Sequence, residues 1–202
     1  MGSLGRMAGI CSLGMLMASA VHAEDWKLAK DEDGVKVYLA EVAGSKYKAY
    51  RGVVTLKGDV ASVRKLQEDV SGSCAWIYEC REQKLLKHEG DHSWTYTRFD
   101  TPWPVTPRDS VLDVTTEEGA DGSVTRHLKG APTYIPEEKG FVRVSSVEGL
   151  WKLVPKGADQ VEVTYQVHTE PGGSVPSVLA NSFVVDAPFN TLKNLRARVE
   201  GR

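Results

Sequence analysis

The side chains best suited to chemistry are an arginine, an aspartate and a histidine that lie far apart in the chain. Arg98, Asp109 and His168 are the plausible members of a catalytic cluster, because an enzyme needs titratable groups that converge in one cavity. Their spacing gives no reason for the three to meet. The chain also has no GxSxG nucleophile elbow, no phosphate-binding loop and no GxGxxG motif. The sequence therefore predicts no enzyme, no metal site and no cofactor.

Residues 93–99 alternate between two faces, as the residues of a strand do. Trp94, Tyr96 and Arg98 share one face, and Thr95, Thr97 and Phe99 share the other. We expect the face with two large aromatic rings to be the inward one, where Arg98 needs an acidic partner or an anionic ligand. The alternative is an outward face, on which Arg98 is solvated and both rings are exposed.

The elements that position these residues are mostly short strands separated by turn signals. The predicted strands cover residues 35–39, 47–56, 76–78, 93–99, 109–116, 123–128, 141–147, 149–154 and 160–168. Asp59 is placed to cap a short helix, in which Val60, Val63, Leu66 and Val70 recur at helical spacing. A longer helix is predicted from Pro176 to Val199, with a kink or local break at Pro188.

Strands followed by one long C-terminal helix indicate the α+β class. The predicted helix is about 36 Å long at about 1.5 Å per residue, so it can cover the concave face of a strongly curved antiparallel sheet. A single helix covers such a face without filling it. The sequence therefore predicts an internal cavity between the sheet and the helix, the usual kind of place for a small-molecule site.

Residues 1–23 have the layout of a cleavable secretory signal. Arg6 precedes an apolar run from Met7 to Ala20, and the segment ends in Val21-His22-Ala23. The run is shorter than the about 20 residues that span a bilayer, although a retained membrane anchor is the competing interpretation. Cleavage after Ala23 leaves one domain, residues 24–202, in the periplasm or outside the cell. The net charge of −2 gives no electrostatic reason to expect nucleic acid as a partner, and nothing indicates an oligomeric state.

Two cysteines, Cys74 and Cys80, remain after the predicted signal. An even number of cysteines in an exported protein favours a disulfide. On one continuous strand the two would lie about 20 Å apart, whereas a bridge needs their Cα atoms within about 7 Å. A disulfide therefore requires a turn between them, and two buried thiols are the alternative.

Several short motifs, each weak alone, occur in a characteristic order over about residues 25–200. They are Asp33-Gly34-Val35-Lys36-Val37-Tyr38, Trp103-Pro104, Arg108-Asp109, Glu148-Gly149-Leu150-Trp151-Lys152-Leu153 with Pro155, Pro171-Gly172-Gly173-Ser174-Val175-Pro176, and Asn181, Pro188, Thr191-Leu192 and Leu195-Arg196 on the closing helix. In this order and spacing the chain resembles a START (steroidogenic-acute-regulatory-related lipid transfer) domain of the helix-grip superfamily. The resemblance implies a curved antiparallel sheet closed by the C-terminal helix around a cavity for one lipid or sterol. It also implies a lid made by that helix and adjacent loops, and no covalent chemistry.

The candidate ligand-binding residues are the aromatic, apolar and arginine side chains that could bound such a cavity. They are Trp76, Trp94, Tyr96, Arg98, Trp103, Arg108, Tyr134, Trp151, Tyr165, Leu179 and Phe183, each of which could instead belong to ordinary packing. Arg108 either orients a polar headgroup or, with Asp109, anchors the turn after Pro107. Gly172 and Gly173 are candidate hinge residues for lid opening, or a plain turn.

One departure from the family argues against cholesterol as the ligand. Sterol-binding members carry an arginine on the strand that follows the Arg-Asp pair, and here Leu112-Asp113-Val114 stands in its place. Three functions from different classes remain open. The chain is expected to be a non-catalytic carrier or sensor of a hydrophobic ligand, with transient membrane contact. The alternatives are a cyclase or hydrolase of the same superfamily, and an interaction module whose core is filled.

Overall fold

The computed structural model describes residues 25–101 and 103–201, so the predicted leader, residues 1–23, lies outside the described part. The strands are β1 Lys27–Glu32, β2 Val35–Ala40, β3 Ala49–Lys57, β4 Cys80–Glu89, β5 His92–Phe99, β6 Arg108–Glu118, β7 Val124–Gly130, β8 Val142–Arg143, β9 Ser146–Pro155 and β10 Gln160–Glu170. The helices are α1 Val60–Glu68, α2 Ser177–Val199 and a 3-10 helix Val70–Ala75.

The strands form one curved sheet in the order β1-β2-β3-β10-β9-β7-β6-β5-β4. Neighbours along this path are antiparallel, and the short strand β8 pairs in parallel with β6 through Arg108↔Val142 and Asp109↔Arg143. Helix α2 lies against β2 and β3 on the concave side. The predicted α+β helix-grip architecture is therefore confirmed.

The short elements follow local sequence signals. Asp33 and Gly34 both have positive φ, 51° and 72°, and connect β1 to β2 by a tight hairpin turn. Asp59 caps α1, because its Oδ1 accepts a hydrogen bond of 2.7 Å from the backbone N–H of Ser62. Val63 and Gln67 then form the buried face of α1.

Helix α2 approaches the sheet closely at Gly52 of β3. A Cβ atom at Gly52 would lie 2.6 Å from Cδ1 of Leu192 and 3.2 Å from Cβ of Pro188. Leu192 and Leu195 are fully buried in the core at this contact. The helix continues through Pro188, so the predicted local break does not occur.

The strand predictions were wrong in three respects. Residues 76–78, predicted as a strand, follow the 3-10 helix in a turn, because the N–H groups of Trp76 and Ile77 both donate to the carbonyl of Ser73. The predicted strand 141–147 is interrupted, with Val142–Arg143 in β8 and residues from Ser146 onward in β9. Strands β1 and β4 were not predicted; both are largely exposed and polar, so they lack the apolar alternation of a half-buried strand.

Candidate ligand-binding cavity

A cavity of about 280 Å³, here called the main cavity, lies between the concave face of the sheet and α2. The sheet contributes apolar side chains such as Leu112, Leu128 and Val167, and the helix contributes Phe183 and Val184. The inner walls are mainly apolar, as expected for a site that takes a hydrophobic molecule.

One end of the main cavity is bounded by two loops, and we call it the loop end. Thr101 and Val105 belong to the loop between β5 and β6, and Pro171 and Val175 belong to the loop between β10 and α2. The hydroxyl of Tyr47 donates a hydrogen bond of 3.2 Å to the carbonyl of Val175, which ties the second loop to the segment before β3. These two loops therefore border the loop end of the main cavity.

The loop end carries both negatively and positively charged side chains. Glu79, Asp100 and Arg108 line it. Arg108 is buried, and its guanidinium donates to the backbone carbonyls of Thr106 and, at 3.5 Å, Gly172. Desolvation lowers the pKa of Arg108 from its ordinary value. These contacts make Arg108 an anchor for both loops as well as a wall residue.

A second space of about 100 Å³, the inner chamber, adjoins the main cavity on the side of α1. The two share six lining residues: Ile77, Phe99, Leu112, Leu128, Tyr165 and Thr191. The inner chamber is more polar, because Gln67, Ser73, Thr95, Thr97 and Arg126 also line it. A single elongated molecule could therefore place an apolar part in the main cavity and a polar end in the inner chamber.

A row of aromatic rings connects the two spaces. Trp76 meets Trp151 edge to face at 5.9 Å between centroids, Trp151 stacks on Tyr165 at 3.8 Å, and Tyr165 meets Tyr50 edge to face at 5.3 Å. Burial raises the pKa values of Tyr50 and Tyr165, so both phenols stay protonated at neutral pH. The row forms a rigid, uncharged wall.

Five of the sequence-predicted binding residues lie on these walls. Arg108, Tyr165 and Phe183 line the main cavity, and Trp76, Trp151 and again Tyr165 line the inner chamber. The aromatic residues were predicted because their side chains are large and some large side chains must enclose the cavity. Whether each contacts a ligand stays a prediction.

Four other predicted residues lie on the opposite, outer side of the sheet: Trp94, Tyr96 and Arg98 of β5, and Tyr134 of the loop that covers them. The alternation in β5 is as predicted, but Thr95, Thr97 and Phe99 face the cavities, so the inward orientation expected for Trp94, Tyr96 and Arg98 is wrong. Trp94 stacks on Tyr134 at 5.7 Å between centroids. The loop 131–141 accounts for the difference, because it covers the outer face and supplies partners to these side chains.

Arg98 has its acidic partners on this outer face. Its Nη1 donates to Glu82 at 2.6 Å, its Nη2 pairs with Glu138 of the covering loop, and its Nε donates to the hydroxyl of Tyr96. Tyr96 in turn donates to Oδ2 of Asp109 at 3.0 Å. Arg98 and Asp109 thus share Tyr96 as a bridge, but His168 pairs with Glu170 elsewhere.

Two predicted binding residues are exposed instead of lining the cavities. Trp103 lies in the loop between β5 and β6 and is 93% exposed, and Leu179 lies in the first turn of α2 and is 40% exposed. Neither belongs to the described walls of the two spaces. Because residues of both elements line the loop end, these side chains lie on the surface near it.

The candidate hinge residues lie between β10 and α2. Gly172 and Gly173 have φ values of 69° and 58°, a region that favours glycine. A Cβ at Gly172 would lie 2.5 Å from the carbonyl oxygen of Arg143, so this position needs glycine for space as well as conformation. Their role as a hinge stays a prediction.

Cys74 and Cys80 form a disulfide, with their Cα atoms 4.8 Å apart. The turn that the bond requires is provided by the end of the 3-10 helix and the segment 76–79. Within it, the N–H of Cys80 donates to the carbonyl of Ile77. The bridge therefore fixes the segment that carries Trp76 and Ile77 into the cavity walls.

The segment His88-Glu89-Gly90-Asp91-His92 has the HExxH spacing of some zinc sites, and the sequence analysis did not consider it. On a helix an HExxH segment presents both histidines on one face to a zinc ion. Here the segment is the turn between β4 and β5, and Glu89, not His88, is paired with His92 across it. Within residues 25–101 and 103–201, no three potential metal ligands cluster. The same residues include no helix long and apolar enough to cross a membrane.

The fold and the cavities define a helix-grip domain with a largely apolar internal site. The model of the START domain matches residues 14–201, so the chain belongs to the START domain family. It is 64% identical over 197 residues to an uncharacterized protein of Pseudomonas aeruginosa, covering 98% of each chain. A STAR-related lipid transfer protein from Xanthomonas axonopodis is 43% identical, with a TM-score of 0.82 over 87% of this chain and 98% of that one. Human StAR-related lipid transfer protein 5, at 20% identity, shares the fold with a TM-score of 0.79 over 87% of this chain and 86% of that one.

Proposed function

We propose that this chain binds one lipid, or a similarly hydrophobic molecule, non-covalently in the main cavity and carries it without chemical change. The observation that carries the proposal is the apolar main cavity between the sheet and α2, which opens towards two loops. Membership of the START family and the likeness to a lipid transfer protein of Xanthomonas axonopodis support it.

The placement of the titratable groups supports a carrier over a cyclase or hydrolase. Arg98, Asp109 and His168, the recruits that the sequence offered for catalysis, are all absent from the described walls of both spaces. An enzyme of this architecture needs acid–base groups that converge on the substrate. The existence of the cavity also supports a carrier over an interaction module with a filled core.

A cavity-blocking substitution tests the proposal. Ala187 of α2 lines the main cavity, and Ala187→Trp would place an indole in it. The matched control is Ala61→Trp at an exposed position of α1. Both variants and the parent chain are incubated with vesicles of mixed phospholipids and fatty acids, and bound lipid is counted by native mass spectrometry. We expect Ala187→Trp alone to lose lipid; equal loading of all three would place any binding outside the main cavity.

The surface near the loop end supports transient membrane contact. Trp103 is 93% exposed and Val178, in the first turn of α2, is 81% exposed. Exposed indole and aliphatic side chains favour the interface of a bilayer. We propose that these two elements meet the membrane when the ligand enters or leaves.

We also propose that the chain is exported and acts in the periplasm or outside the cell. The signal-like layout of residues 1–23 supports this location, and so does the Cys74–Cys80 disulfide, because disulfides persist in oxidising compartments. Intact-mass measurement of the protein isolated from its cells tests it. A mass that begins at Glu24 is expected, and a cytoplasmic chain with residues 1–23 intact would overturn it.

A further inference from the structure

Among the residues that the structure describes, three buried hydrogen-bond donors face the inner chamber without an acceptor. They are Nε2 of Gln67, Nε1 of Trp76 and Nε of Arg126, on side chains that are 6%, 4% and 8% exposed. They come from α1, from the turn after the 3-10 helix and from β7. Buried donors in native proteins almost always have a partner, so three around one small space require an explanation.

Arg126 adds a positive charge to this cluster. The hydrogen bond that its guanidinium makes is a long one, 3.5 Å from Nη1 to Oε1 of Gln67. Glu68 lies within electrostatic range, but its carboxylate is already bound by Arg64 at 2.7 Å. Burial lowers the pKa of Arg126 from its ordinary value, and the nearby charge of Glu68 offsets only part of that effect.

None of the described residues that line the inner chamber is a carboxylate, although Arg126 also borders a separate cleft that is lined by Glu68, Asp91 and Glu118. The other polar residues of the inner chamber, as far as the structure describes them, carry hydroxyl or amide groups: Ser73, Gln83, Thr95, Thr97, Tyr165 and Thr191. Thr97 already accepts a hydrogen bond of 2.9 Å from Gln83. Three donors and a cation in one buried space match the oxygens of an anion, which accept several hydrogen bonds and supply the missing charge.

We infer that the inner chamber binds the anionic oxygens of a carboxylate or phosphate at one end of an amphiphile, whose apolar part fills the main cavity. The inference rests on the proposed function and adds a ligand class and an orientation to it. The two spaces share walls formed by Ile77, Phe99 and Tyr165, so a molecule that reaches past these side chains would occupy both.

The opposite end of the cavity favours the same orientation. Two carboxylates, Glu79 and Asp100, line the loop end and would repel an anionic group there. Arg108 is also present at that end, and its buried Nε lacks an acceptor too, but its Nη1 and Nη2 donate to the carbonyls of Thr106 and Gly172. Three of the four unpartnered donors on the described walls of the two spaces therefore lie around Arg126.

The test compares two probes that differ only at the polar end, oleate and oleyl alcohol. Dissociation constants of both are measured for the parent chain, for Arg126→Met and for Arg198→Met, a control at an exposed position of α2. We expect the parent and the control to prefer oleate. We expect Arg126→Met to bind oleate about 10-fold or more weakly, because a charged hydrogen bond is lost, and oleyl alcohol about equally well.

A second variant protects the test against misfolding. Trp76→Phe removes one donor and keeps an aromatic ring against Trp151, and a smaller loss of oleate preference is expected from it. Thermal unfolding of each variant is recorded alongside. Oleate preference that survives in Arg126→Met, or that disappears only in Arg108→Met, would overturn the inner-chamber site while leaving a hydrophobic cavity in place.

Two further arms separate this inference from its alternatives. Acetate and inorganic phosphate are titrated alone; tight binding of either, abolished in Arg126→Met, would show a site for a free anion and overturn the amphiphile. Equal affinity of the parent chain for oleate and oleyl alcohol would overturn the inference and support the proposed function. Binding of neither probe, together with lipid-free protein from vesicle incubation, would count against both.

Discussion

Trp151 and Tyr165 stack face to face, with ring centroids 3.8 Å apart and planes 8° from parallel. They are directly paired on neighbouring strands, Trp151 on β9 and Tyr165 on β10. Tyr165 lines both the main cavity and the inner chamber, and Trp151 lines the chamber. The stack therefore lies where the walls of the two spaces meet.

The position of this stack predicts an optical signal for binding. A ligand that enters the inner chamber changes the polarity around Trp151 and Trp76, so tryptophan emission should shift and saturate at one equivalent. The variant Trp151→Phe should lose a large part of the shift, whereas Trp94→Phe, on the outer face, should keep it. A shift retained in Trp151→Phe and lost in Trp94→Phe would place the ligand on the other side of the sheet.

Gly52 predicts a strong effect of a single methyl group. A Cβ there would lie 2.6 Å from Cδ1 of Leu192, so in Gly52→Ala either the buried Leu192 side chain or α2 itself must shift. We expect a loss of about 1–3 kcal/mol in the free energy of unfolding, the usual cost of overpacking. Urea denaturation measures it in the parent chain and in a Leu192→Ala background, where the contacting Cδ1 is absent and Gly52→Ala should cost less. An equal loss in both backgrounds would contradict steric overpacking at Gly52.

Breaking the ion pair between Asp109 and Arg143 should lower the free energy of unfolding by more than Gly52→Ala does. Nε and Nη2 of Arg143 donate to the two carboxylate oxygens at 2.9 Å each, and both side chains are almost fully buried. Asp109→Asn leaves a buried cation without its counter-ion, which costs about 3–5 kcal/mol. The double variant Asp109→Asn with Arg143→Met should recover part of that loss in urea denaturation. A double variant less stable than Asp109→Asn alone would contradict this account.

Most of the fold could be predicted from the sequence, because its signals are local. The alternation of residues 93–99 and the apolar spacing of 176–199 located β5 and α2 correctly. Which face of β5 is inward could not be read from alternation, because both faces are covered. The loop 131–141 gives Tyr96 and Arg98 a buried, ion-paired environment outside the cavity, a contact between segments distant in the chain.

The inner chamber was beyond sequence reasoning for the same physical reason. Gln67, Trp76 and Arg126 are unremarkable in their own segments, and they face one space only when α1 and the segment after it pack over β7. Trp76 was found because it is aromatic, whereas Gln67 and Arg126 gave no signal of burial. Polar residues are usually exposed, so a buried arginine whose Nε has no acceptor becomes visible only in the structure.

The exposed tryptophan near the loop end predicts a membrane effect separate from stability. Trp103 is 93% exposed, so Trp103→Ser should leave thermal unfolding unchanged while weakening sedimentation with phospholipid vesicles. The control is Trp94→Phe, whose ring stacks on Tyr134 on the outer face. Unchanged vesicle binding by Trp103→Ser would contradict contact through this loop.

The proposed function requires that the main cavity hold one hydrophobic ligand. Native mass spectrometry of the protein purified from the cells that make it, followed by organic extraction, measures this occupancy. We expect a one-to-one adduct that is released by extraction as an amphiphile with an apolar tail. A ligand-free mass that stays unchanged after incubation with mixed lipid vesicles would contradict it.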